Sequence, residues 1–158
     1  MIQRIQSIFL LLVAVAMGAI VSSQIWVSAT ESKQAVLTAM QLTVTENGTV
    51  VETVNTLAIA VVAGLAGVVA LASMFSFKNR MNQMKLNLVN SLLIFTVIGL
   101  NLYYGYMQGT DLMGGVQGQY KIGFFLPVFA ILFNSLANRF IQKDEKKVKD
   151  SISGRLRD

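Results

Sequence analysis

From Thr56 to Phe77 the chain reads TLAIAVVAGLAGVVALASMFSF, and Lys78, Asn79 and Arg80 follow at once. No charge interrupts those 22 residues, and about 20 apolar residues of helix cross a hydrocarbon core. Inside lipid every backbone N–H and C=O must be bonded within the segment, so an isolated run of this length crosses as a helix. Working outward, three more charge-free runs of spanning length lie at about 5–23, 86–107 and 122–138. Hydrophobic residues make up 54% of the chain and charged ones 13%, more apolar than a soluble domain of 158 residues carries. Four spans leave no room for a separate soluble domain. The expected fold class is therefore an all-α membrane protein, one integral domain over 1–158, built as a four-transmembrane-helix bundle. The first run also has the basic start and small-residue end of a secretory leader, but its length and flanks favour a retained anchor.

Orientation follows from the basic residues outside the spans. Eleven of the thirteen Lys and Arg fall at the start, between spans two and three, or after Asn138; only Lys33 and Lys121 fall on the other side. The positive-inside rule then places both termini and the 78–85 loop in the cytoplasm, with the 24–55 loop and the 108–121 loop outside. Tyr103, Tyr104 and Tyr106 sit where an outer aromatic belt is expected. Gly114, Gly115 and Gly118 are expected to make the second outer loop flexible.

The 24–55 loop has a β texture. Met40 to Thr45 alternates apolar and polar residues, Asn47-Gly48 follows, and Thr49 to Thr53 is rich in β-formers. Asn-Gly between two such runs signals a hairpin, because both residues accept the positive φ of a type I′ turn. A small extracytoplasmic β-hairpin between helices one and two is expected, with Gln24 to Ser28, including Trp26, as a candidate third strand. Its simplest role is a cap on the helix ends; an exposed edge able to recruit a partner strand is the alternative.

Chemistry is scarce. There is no Cys and no His, which removes thiol nucleophiles, imidazole acid–base work and metal sites built on those ligands. The spans carry no ionisable residue in their interiors, against what a proton-coupled carrier acting alone requires. No catalytic, cofactor-binding or metal residues are assigned, and the protein is expected not to be an enzyme and not to bind nucleic acid. Two sets of residues stand out. Gly64 and Gly67, among the small-xxx-small spacings of span two, and Asn90 and Asn134, amides inside spans three and four, form a candidate helix-packing face. Arg4, Lys78, Arg80 and Arg139 form a candidate contact for lipid phosphates or a partner, with Asp144 and Glu145 as possible ion-pair mates. Beyond Asn138 the spacing of Ile141, Val148, Ile152 and Leu156 predicts that span four runs on as an amphipathic cytoplasmic helix over 139–158.

Three cytoplasmic patches carry a resemblance: Met1-Ile2-Gln3-Arg4-Ile5-Gln6-Ser7; Phe77-Lys78-Asn79-Arg80 with Gln83, Lys85 and Leu86; and Ala137-Asn138-Arg139 with Lys143, Asp144, Glu145, Arg155, Leu156 and Arg157. In these the chain resembles an uncharacterised family of four-helix inner-membrane proteins of Bacteroidota, domain of unknown function 4293. The resemblance implies a bacterial inner membrane and supplies no catalytic residues. The functional expectation is a small accessory or scaffold subunit of a membrane complex, in contact with the bilayer and with a membrane partner or further copies of itself. The alternative is an oligomeric small channel or a lipid or solute carrier.

Overall fold

In the computed structural model, residues 2–77 and 79–155 are described, with side chains for 5–77 and 79–150. Helix α1 is Ile2–Ala19, prolonged by a 3-10 turn at Ile20–Ser22. Helix α2 is Leu57–Phe75, and α3 is Arg80–Leu102. The latter continues as a π-helix over Tyr103–Gly109 and a last turn at Thr110–Leu112. Helix α4 is Ile122–Arg155, one uninterrupted rod with Pro127 inside it. Windows of all four are long and apolar enough to cross a membrane. Each of α1 and α3 packs on both α2 and α4, so the four form a square.

The expectation of an all-α bundle with a lone hairpin is corrected by a five-stranded antiparallel sheet, which makes the fold mixed α and β. Strands β1 (Trp26–Ala29), β2 (Lys33–Leu37), β3 (Gln41–Glu46) and β4 (Thr49–Asn55) form a meander. Strand β5 (Gln119–Tyr120), from the loop before α4, adds to the free side of β1, giving the order β4-β3-β2-β1-β5. Asn47 (φ 49°) and Gly48 (φ 82°) make the β3–β4 turn, but that pair of strands is only two of five. The other turns have no Gly or Asn to announce them. Thr30 closes the β1–β2 turn by donating its hydroxyl to the Lys33 carbonyl (3.2 Å) and accepting from the Lys33 N–H (3.1 Å). Thr38 does the same with Gln41 between β2 and β3, at 2.9 and 3.2 Å. These are hydroxyl-built turns, whose sequence signal is weak.

One face of the sheet, with Trp26, Ala35, Leu37, Leu42 and Val44, joins a single core with Val13, Met17 and Ile20 of the first helix, Ile59 and Ala63 of α2, and Ile94 and Val97 of α3. The sheet also satisfies helix starts, whose first N–H groups lack partners in their own helix. The Ala60 N–H donates to the Ala39 carbonyl (3.2 Å) and the Gly123 N–H to the Gln24 carbonyl (3.0 Å). Buried Thr56 donates its hydroxyl to the Thr38 carbonyl (3.0 Å). The sheet is thus fixed to one end of the bundle, and the start of α3 at Arg80 and the long overhang of α4 mark the other.

Trp26 locks the sheet in place. It is 2% exposed and lies between the π-helix and the loop before β5, against Gly105, Gly109 and Gly118. A Cβ at Gly118 would stand 2.4 Å from Trp26 Cε2 and 2.6 Å from the Val27 carbonyl oxygen, so only glycine fits. Gly114 and Gly115 do take positive φ, but Gly118 is a packing contact and not a source of flexibility.

Candidate functional site

Helix α3 turns a polar stripe inward. Its buried residues run Gln83, Asn87, Asn90, Ile94, Val97 and Asn101, while Leu88, Val89, Leu92 and Phe95 are exposed. In water this pattern would be inside out; in lipid it is the stable arrangement, since amides find partners only in the interior. An amide cluster results. Ser73 of α2 donates its hydroxyl to Asn87 Oδ1 (2.6 Å). Asn134 of α4 donates through Nδ2 to the Asn87 carbonyl (2.8 Å) and to Ser91 Oγ (2.8 Å), and its Oδ1 accepts from Asn90 Nδ2 at 3.4 Å. Gln6 of α1 is also buried. Three helices are therefore stitched at one level by uncharged groups, each bond worth about 0.6–1.7 kcal/mol in a membrane.

The cluster is not saturated. Asn87 Nδ2 and Asn90 Oδ1 are buried without a protein partner, and so, about three turns further along α3, are both amide atoms of Asn101. No Asp, Glu, Lys or Arg is among the buried side chains of the described residues, and no three metal-type ligands gather there.

The sequence-derived candidates divide in space. Asn90 and Asn134 are brought into contact in the cluster. Gly67 of α2 faces α1, where an added Cβ would meet the Ala14 carbonyl oxygen and Met17 Cβ at 3.8 Å, whereas Gly64 faces outward with nothing within 4 Å. The two glycines thus do not share a face. Ala63, Ala66 and Ala70 turn inward, so these small residues serve packing within the bundle.

At the opposite end from the sheet, Asn79 caps α3 by accepting the Asn82 N–H at its Oδ1 (3.2 Å). That cap presents Arg80 to the overhang of α4, where its guanidinium pairs with Asp144 at 3.1 Å. Both partners are more than half buried, so the pair holds the overhang against the start of α3. Lys149 pairs with Glu145 one turn along at 3.1 Å. Arg139 is exposed and does not join the Arg80 pair. The side chain of Arg4 and the whole of Lys78 lie outside the described residues. Sequence reading missed the Trp26 seat entirely; the tryptophan and the glycines were in view, but nothing in their spacing joins them.

Fold and site together define a mixed α and β protein of the membrane class, with four helices long and apolar enough to cross a bilayer, a five-stranded sheet packed on one end of the bundle and an uncharged polar cluster inside. A family model for a domain of unknown function (DUF4293) matches residues 2–152, and the chain belongs to that family. No curated protein and no solved structure matches it.

Proposed function

We propose that the protein is a non-enzymatic, multi-pass inner-membrane protein with both termini cytoplasmic, acting as an accessory or scaffold subunit of a membrane complex. The observation that carries this reading is the nature of the interior. Its polar side chains are amides and hydroxyls bonded across three helices, a construction that holds helices together and, among the described residues, sets no buried ionisable group beside a hydroxyl to act as its general base. Interaction capacity lies on the two ends instead. Strand β4 is an open edge with Val50 and Val51 exposed, the kind of edge that accepts another strand. The basic overhang of α4 suits anionic headgroups and protein partners alike. The excess of Lys and Arg at the overhang end supports the orientation.

A second reading, an oligomeric channel or carrier, is favoured by the unpartnered atoms of Asn87, Asn90 and Asn101, polar groups that bound water would satisfy. Purification of the tagged protein at native abundance in mild detergent, followed by mass spectrometry, separates the two. Stoichiometric larger partners are expected. A partner-free homo-oligomer would overturn the accessory-subunit reading and favour transport.

A further inference from the structure

The outward face of α3 ends in a groove. Below it, Leu88, Leu92 and Phe95 form an exposed apolar stripe at helical spacing. Gly99 comes next on the same face and leaves it bare, with nothing within 4 Å of an added Cβ. Leu102 at the end of α3 and Tyr103, Tyr106 and Met107 of the π-helix then stand opposite Tyr120 of β5, lining an open groove of about 400 Å³. Its walls are hydrocarbon and aromatic ring. Ordered water needs two to four polar partners, and the described lining offers only phenol hydroxyls. Burial first, and nearby Tyr106 second, hold the Tyr120 hydroxyl above its ordinary pKa.

We propose that this groove seats one acyl chain of a bilayer phospholipid, rising along the bare strip at Gly99 and ending with its ester and headgroup beside the Tyr106 and Tyr120 hydroxyls. The position of the groove selects its occupant: it continues the exposed apolar stripe of α3, at the level where the apolar run gives way to the sheet. Phenols are suited to that boundary, with an apolar ring and a polar tip. The inference rests on the four helices spanning a bilayer and is independent of any partner.

The test uses the full chain purified from membranes in mild detergent, stripped of lipid under one fixed protocol and weighed intact by native mass spectrometry. Wild type is expected to retain one phospholipid per chain. Gly99→Leu adds a side chain that leans back along the helix across the entry path, without touching the rest of the fold, and is expected to lose that phospholipid while keeping wild-type helix content and melting. Tyr106→Ala, which removes a wall, is expected to lose it as well. Equal retention by wild type and Gly99→Leu would overturn the proposal. So would a retained molecule without acyl chains, or a lipid-free wild type carrying a partner helix instead. A chain that did not span a bilayer would purify without detergent, a failure of the membrane reading visible before any lipid is weighed.

Discussion

Replacing Gly109 with alanine tests how the sheet is held to the bundle. The new Cβ would stand 2.6 Å from Trp26 Cζ3 and 2.8 Å from Cη2, roughly 1 Å inside the usual carbon–carbon separation of about 3.5–4.0 Å. Trp26 cannot easily yield: it is buried, paired to Leu37 on one side and to Tyr120 on the other. Overpacking of this kind costs about 1–3 kcal/mol, from which the better helix propensity of alanine returns up to about 1 kcal/mol. With the full propensity gain the net expectation is a loss of about 0–2 kcal/mol. In a Trp26→Leu background the clash is gone and the propensity gain remains, so Gly109→Ala should become neutral or stabilising. Gly118→Ala should behave differently, because its Cβ also meets the Val27 carbonyl oxygen at 2.6 Å, and no change at position 26 moves that backbone. Gly105→Ala, whose nearest contact is 3.4 Å, should be tolerated. Unfolding in mixed micelles by added dodecyl sulfate, followed by far-ultraviolet circular dichroism, gives the double-mutant cycle. A stabilising Gly109→Ala in the wild-type background, or a cost that Trp26→Leu leaves unchanged, would refute the reasoning.

Further outcomes follow from the bundle and its basic end. Asn134→Leu removes three hydrogen bonds and strands Asn90 Nδ2; a loss of about 1–3 kcal/mol is expected in the same titration, with Asn134→Gln less damaging than leucine. Gly67→Leu should destabilise by forcing α1 away from α2, while Gly64→Leu, which faces outward, should leave the isolated chain's stability unchanged; equal effects would contradict the assigned faces. Arg80→Gln and Asp144→Asn should each loosen the α4 overhang, with a coupling of about 0.2–1 kcal/mol, because a pair that keeps partial access to water is still screened. Limited trypsin digestion near Lys143 reads this out, and cleavage rates equal to wild type would show that the pair does not restrain the overhang.

The spanning helices were open to a reader of the sequence because the constraint is severe: a backbone in lipid needs some twenty apolar residues and tolerates little else. The sheet was harder. Asn47-Gly48 announced one turn, but Thr30 and Thr38 close theirs through hydroxyl bonds that any threonine could make, and β2 between them, Lys33 to Leu37, is too short for a clear alternation of apolar and polar residues. Strand β5 has two residues and depends on pairing with Trp26 and Val27, a partner more than ninety positions away in sequence and invisible to periodicity. The amides of α3 were apparent as polar groups in a span, while their meeting with Ser73 and Asn134 depends on how the helices rotate. Arg80 and Asp144 belong to distant segments joined only by the fold.

Four crossings that set the sheet and the basic overhang on opposite sides are the centre of this account, and the natural absence of cysteine allows a direct test. Glu31→Cys at the sheet end and Lys146→Cys on the overhang, both exposed, would be treated in intact spheroplasts with a maleimide that cannot cross membranes. Labelling of Glu31→Cys at once, and of Lys146→Cys only after the membrane is broken, is the predicted result. Labelling of Lys146→Cys in intact spheroplasts would contradict it.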